Sequence, residues 1–238
     1  MYRDARGECD IKLTERYSSP DDLPSQIPVF PLQGAILLPR VTMPLHIFES
    51  RYLMMCNDVL GQDRLIGIIQ PSDSQLKTET ITDDKLLKIR DIGCVGRITS
   101  FTEMEDERLM ISLSGVSRFV ISHEEFSELP YRLFNVNFKP FVKDLKPDPY
   151  EDEIDRTHLL DVLKEYLESH DLSADWESID RASNELLVNT LSTISPYGPE
   201  EKQALLEAPD LKARSEVLIA LAEMEMAARD DGSGTSLQ

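Results

Sequence analysis

The sequence predicts an α+β protein, a strand-rich first part followed by an all-helical second part. Two observations carry that expectation. Between residues 26 and 145, short apolar or alternating segments recur every roughly 8–12 residues with turn signals between them. From Lys146 onward the apolar period lengthens to that of a helix. Strands followed by helices define an α+β fold or two subdomains. The expected organisation is a flexible extension over 1–25, a β-rich subdomain over 26–145, a helical subdomain over 146–229 and a disordered tail over 230–238.

Residues 1–25 show no sustained period, and SSPDDLPS has a loop composition; a short strand is expected at Ile11–Leu13. The next stretch is IPVFPLQGAILLPRVTMPLHIFESRYLMMCNDVL, with prolines at 28, 31, 39 and 44. Proline cannot donate to a sheet ladder, so short edge strands are expected at Ile27–Leu32 and Met43–Phe48. Tyr52, Met55, Cys56, Val59 and Leu60 then keep helical spacing across Glu49–Leu60. RLIGIIQ (64–70) reads as a buried strand, and Ser72–Lys88 as a polar hairpin or loop. Ile89–Met104 is a strand with glycines at a bend or bulge. Leu109, Ile111 and Leu113 alternate, Ser114–Gly115 reads as a turn into Val116–Ser122, and Phe134, Val136 and Phe138 share one face of a last strand.

In the second part, Asp148–Pro149 reads as a cap followed by proline in the first helical turn. Leu159, Val162, Leu163, Tyr166 and Leu167 form the first apolar stripe. A second helix is expected over Asp175–Ile194, a short one from Pro199 to Ala208 after the SPYGP break, and a last one capped by Asp210. DDGSGTSLQ reads as a flexible tail.

Composition restricts the function classes. The chain carries 25 Lys+Arg against 44 Asp+Glu, a net charge of −19. The imbalance is concentrated in residues 148–238, with 7 basic and 22 acidic side chains, against 18 and 22 in residues 1–147. Such an acidic part disfavours phosphate backbones and anionic membranes as partners and leaves basic proteins compatible. No run reaches the roughly 18 apolar residues that a membrane span needs. MYRDARGECD has no apolar core of a secretory signal, so a cytoplasmic protein is expected. Three scattered cysteines, Cys9, Cys56 and Cys94, argue against a zinc site or disulfide framework.

Motifs for chemistry are missing. HEEFS at 123–127 lacks the second histidine of a helical zinc pair. Asp171, Ser173, Asp175 and Glu177 resemble half a calcium loop, but Trp176 and Ala182 stand where glycine and glutamate are needed, so Asp175 is expected to cap a helix. His46 reads as a core or edge histidine. No GxSxG and no GxxxxGK[ST] occurs. No catalytic residue, cofactor or metal is expected. AILLP holds more apolar residues than one short strand can bury, so Ile36, Leu37 and Leu38 are the expected polypeptide-binding surface.

Four spaced segments also carry a family resemblance. The first is met by Pro28, Phe30, Pro31, Leu32, Pro39, Pro44, Leu45, Phe48, Glu49, Arg51 and Tyr52, the second by Gly93, Val95, Arg97 and Ile98. The third runs through Arg108, Ile111, Leu113, Gly115, Arg118, Phe119 and Ile121, the fourth through Lys202, Gln203, Leu205, Leu206, Glu207, Asp210 and Arg214. In this order they resemble the N-terminal, substrate-binding domain of the Lon proteases. Cys94 and Gly96 stand where that family often has threonine and alanine.

The resemblance implies a PUA-like β pseudo-barrel followed by a helical bundle, and a non-catalytic role in handling polypeptides. The expected partners are unfolded segments, or a protease or chaperone served as an adaptor. It implies structural roles for Pro31, Leu32, Glu49, Arg51, Tyr52, Gly93, Arg97, Gly115, Arg118, Gln203, Glu207 and Arg214, with Glu49 and Arg51 as an ion pair or cap. The ATPase and serine–lysine peptidase segments that follow this domain in Lon are not found, so no enzyme is expected. PUA-like folds also bind RNA, which would need a basic patch from Arg90, Arg97, Arg108, Arg118 and Arg132.

Overall fold

The computed structural model describes residues 16–72, 87–147, 153–170 and 172–233. The strand expected at Ile11–Leu13, the loop across 73–86, the Asp148–Pro149 cap and the end of the tail lie outside them. The chain divides into two compact units, Met1–Pro147 and Asp148–Gln238.

Among the described residues, six strands build the first unit: β1 (Gln26–Pro31), β2 (Thr42–Ile47), β3 (Leu65–Ile69), β4 (Ile92–Glu103), β5 (Leu109–Glu125) and β6 (Arg132–Asn137), with helix α1 (Ser50–Leu60) between β2 and β3. They pair in the order β2-β5-β4-β3-β1-β6, and β5 also pairs with β6. The last pairing closes five strands into a ring, with β2 added outside. Among the described strands, β1 and β3 pair parallel and the other pairs are antiparallel. Ile27, Val29, Leu65, Val95, Phe119, Phe134 and Val136 fill the ring as one apolar cluster. Phe119 meets Phe138 edge to face at 6.3 Å.

The prolines obey the ladder rule in a way that edge strands alone do not describe. β1 has neighbours on both sides, but not along the same residues. Gln26–Val29 pair with β6, while Val29–Pro31 pair with β3. Pro28 and Pro31 therefore each lie where one side of the strand is unpaired. β2 is a true edge. The Gly115 amide donates to the Val41 carbonyl, so by the antiparallel alternation the odd-numbered residues face β5. Pro44 then points its missing N–H at the free edge, where it hinders pairing with another strand.

One expected turn is absent. Ser114–Gly115 lies inside β5, which runs unbroken for 17 residues. The register against β4 passes from Val95↔Ser117 to Gly96↔Gly115, leaving Val116 as an extra residue. The glycine serves a bulge and a close approach. A Cβ on Gly115 would stand 2.0 Å from the Leu38 carbonyl oxygen.

A buried ion pair ties the ring to the 3-10 segment Lys139–Leu145. Arg118 Nε and Nη2 donate to Asp144 Oδ2 and Oδ1 at 2.8 and 2.9 Å, and the Arg118 amide donates to Oδ2 at 2.9 Å. The guanidinium also lies 4.4 Å over the Phe141 ring. Asp144 was not singled out by the sequence.

The second unit holds α2 (Arg156–Ser169), α3 (Trp176–Arg181), α4 (Asn184–Ile194), α5 (Pro199–Glu207) and α6 (Leu211–Ser233). Helix α2 starts later than the sequence suggests, where the Asp155 carboxylate accepts from the His158 amide. The single helix expected over Asp175–Ile194 is two. Asp175 caps α3, Ala182 is extended, and the Ser183 hydroxyl accepts from the Leu186 amide to start α4. Helix α6 continues to Ser233, past the start of the expected tail at residue 230.

Lys202 is buried and donates to the Ser192 and Thr193 carbonyls, which closes the C-terminal end of α4. Burial pushes its pKa down to about 8. Below that value the ammonium is charged in folded and unfolded chains alike. Above it, and up to the ordinary lysine range, the unfolded chain alone holds the proton. Lys202 therefore contributes a rise in stability as pH climbs through this window. The expected result is a gain in urea midpoint above pH about 8 that Lys202→Met removes. Parallel pH profiles for the two proteins would count against it.

Candidate functional site

The sequence placed a binding surface at Ile36, Leu37 and Leu38, and the structure corrects this. Leu37 and Leu38 are 0% exposed and Ile36 is 1% exposed. The segment is not a strand; it folds as a loop over a gap in the sheet. Gly96 and Gly115 pair across β4 and β5, and the space that their missing side chains leave is filled by Leu37 and Leu38. The Arg40 amide donates to the Gly115 carbonyl at 2.9 Å and locks the loop down.

The residues of the family pattern make contacts within the chain. Pro31 ends β1, and the Leu32 amide donates to the Ile69 carbonyl. Arg51 pairs with Glu49 and lies 4.7 Å over Tyr52, which meets Phe30 edge to face. Glu49 sits at the start of α1 without making a side-chain cap. Gly93 packs where a Cβ would strike Phe119 and the Ile68 carbonyl. Arg97 donates to Tyr17 and the Asp63 carbonyl. Gln203 donates to Glu207, and buried Arg214 to Asn189 and the Leu205 carbonyl.

Two of the five arginines that a basic patch for RNA would need, Arg118 and Arg132, are buried against carboxylates. Arg118 is spent on Asp144. Arg132 is spent on Glu124 and the Leu87 carbonyl. His46 lies exposed on edge strand β2, and His123 faces Asn135 and Glu125. Among the described residues, no group of three or more His, Cys, Asp or Glu is placed to hold a metal ion. None of the described helices is long and apolar enough to cross a membrane.

An open apolar pocket lies within the helical unit. It encloses about 190 Å³. Its walls are Leu159, Val162 and Leu163 of α2 and Leu218, Ile219 and Ala222 of α6, closed by the Ser195–Tyr197 turn. Ile194 and Leu172 stand at the rim, 67% and 56% exposed.

Tyr166, one of the lining residues, is held by a polar network. Tyr166 Oη donates to Glu225 Oε2 at 3.2 Å, and His170 Nε2 lies 3.2 Å from Glu225 Oε1. His170 stacks on the Tyr166 ring at 4.1 Å. Burial, followed by the Glu225 charge, raises the Tyr166 pKa. Burial, followed by the charges of Tyr166 and Glu225, raises that of Tyr197. Both phenols therefore stay neutral. The helical stripe on α2 was legible in the sequence; the gap beside it was not, because periodicity assigns faces and not spaces between them.

A near-closed β ring followed in the chain by a helical unit makes this an α+β protein. The chain belongs to the family described as the ATP-dependent protease La (LON) substrate-binding domain, which it matches over residues 26–223. It is 29% identical to the Lon protease of Flavobacterium johnsoniae over 202 residues, covering 82% of this chain and 23% of that protein. It is 28% identical to the Lon protease of Parabacteroides distasonis, covering 92% and 26%. The chain thus spans about a quarter of the length of these relatives. Its fold is that of a Lon N-terminal domain protein from Xanthomonas campestris (TM-score 0.57, 22% identity, 83% of this chain and 98% of that one). The N-terminal domain of a Mycobacterium avium complex Lon protease superposes with a TM-score of 0.60 at 17% identity, with the same coverage.

Proposed function

We propose that this chain captures polypeptides through exposed apolar side chains, without catalysing a reaction, and presents them to a protease or chaperone. The observation that carries the reading is the open pocket of the helical unit, with Ile194 and Leu172 at its mouth. Its volume suits one bulky side chain of an extended or unfolded segment. Membership of a substrate-binding family supports the same reading.

The test is a titration with a fluorescently labelled, reduced and alkylated polypeptide that cannot fold. Saturable binding is expected. Ile194→Glu puts a charge at the mouth on an already exposed position, so the fold survives. It should weaken binding roughly tenfold, in line with losing one well-buried anchor. An unchanged Kd with an unchanged circular dichroism spectrum would exclude the pocket as the capture site.

A further inference from the structure

We propose that the helical pocket is also a binding site for a free, uncharged apolar molecule about the size of a single benzene ring. This goes beyond polypeptide capture, because it stands on the pocket alone.

The walls decide the chemistry. They come from α2, α4, α6 and the turn after α4, all inside the helical unit. Among the described residues that line the pocket, none is charged. Leu159, Val162, Leu218 and Ala222 present buried aliphatic surface, and Leu163 and Ile219 are half-buried. Polar side-chain atoms come from Tyr166, Ser195 and Tyr197, and each is already bonded. Tyr166 donates to Glu225, and Ser195 is the hydrogen-bond partner of Tyr197. Glu225 is in turn engaged by His170, which also stacks on the Tyr166 ring.

Water gains little in such a place. A well-held water needs roughly two to four polar partners, and these walls have their hydroxyls bonded elsewhere. Displacing poorly held water with an apolar group is favourable. A charged group would give up its hydration and meet no opposite charge among the lining residues.

Size sets the rest. Apolar cavities of about 150 Å³ take up benzene. This pocket encloses about 190 Å³, enough for such a ring with a small substituent. A longer chain would run out past Ile194 and Leu172 into water.

The experiment uses the full chain, methyl-labelled on Ile, Leu and Val for NMR, with toluene as the probe. Toluene should shift the methyl signals of Leu163, Ile194, Leu218 and Ile219 saturably, with a Kd of roughly 1 mM. Benzoate, the same ring with a charge, should bind at least about tenfold more weakly. Ala222→Leu grows the α6 wall into the space and should abolish the shifts while the circular dichroism spectrum stays that of the parent. Should that variant not fold, the wild-type shift map decides alone. Shifts spread over both units, equal affinity for benzoate, or shifts retained in folded Ala222→Leu would each overturn the site. A competition arm separates this inference from polypeptide capture. With toluene at about twice its Kd, the apparent Kd of the labelled unfolded polypeptide should rise about threefold. Toluene binding without that rise upholds the ligand site and overturns capture through this pocket. Polypeptide binding without saturable toluene shifts overturns the ligand site and leaves capture standing.

Discussion

Asp144→Ala should destabilise the β unit by about 3–5 kcal/mol, the usual cost of leaving a buried charge without its partner. The carboxylate accepts three bonds, two from the Arg118 guanidinium and one from its backbone amide. With side chains 4% and 9% exposed, neither ion can recover its bonds from water without opening the structure. The melting temperature should fall by roughly 10 °C. The control is Arg118→Met in the same chain, which removes the stranded charge and should recover part of the loss, since apolar replacements of buried pairs are often nearly neutral. A fall below about 1 kcal/mol for Asp144→Ala alone would show that the pair is solvated and contributes little.

Gly115→Ala is the second large effect. The added methyl group would stand 2.0 Å from the Leu38 carbonyl oxygen, a backbone atom that cannot swing aside as a side-chain tip can. Either β5 or the loop must move, and the loop holds two fully buried leucines in place. A cost of about 3 kcal/mol is expected, at the upper end for overpacking. Hydrogen exchange locates it: the Arg40 and Gly115 amides, which bond across this contact, should lose protection before the rest of β5. Protection unchanged at both amides would rule out the proposed clash.

The parts of the fold that were legible in the sequence are those where one signal had one meaning. Leu65–Ile69 is a continuous apolar run and forms a strand buried at all its positions. Pro199 and Asp210 open helices where their chemistry requires. The misreadings come from signals with two meanings. Ser-Gly suits a turn and equally a bulge, and only the pairing partner at Gly96 decides between them. Ile179, Ala182 and Leu186 continue an apolar stripe across the break at Ser183, so periodicity alone joined α3 to α4. Ile36, Leu37 and Leu38 looked too apolar for one strand, which was correct, but a loop over paired glycines buries them just as well. Asp144 and the Tyr166–Glu225 contact join residues far apart in the chain and leave no local pattern.

The closure of the ring has a consequence for how the protein is made. Gln26 pairs with Asn135, so the first strand finds one of its two neighbours only after about 100 further residues have been added. At ordinary synthesis rates that is a wait of several seconds. Throughout it, the Ile27 and Val29 side chains have no interior to enter. A module that we propose captures exposed apolar segments therefore begins life displaying one, and could itself be held by a chaperone until β6 emerges.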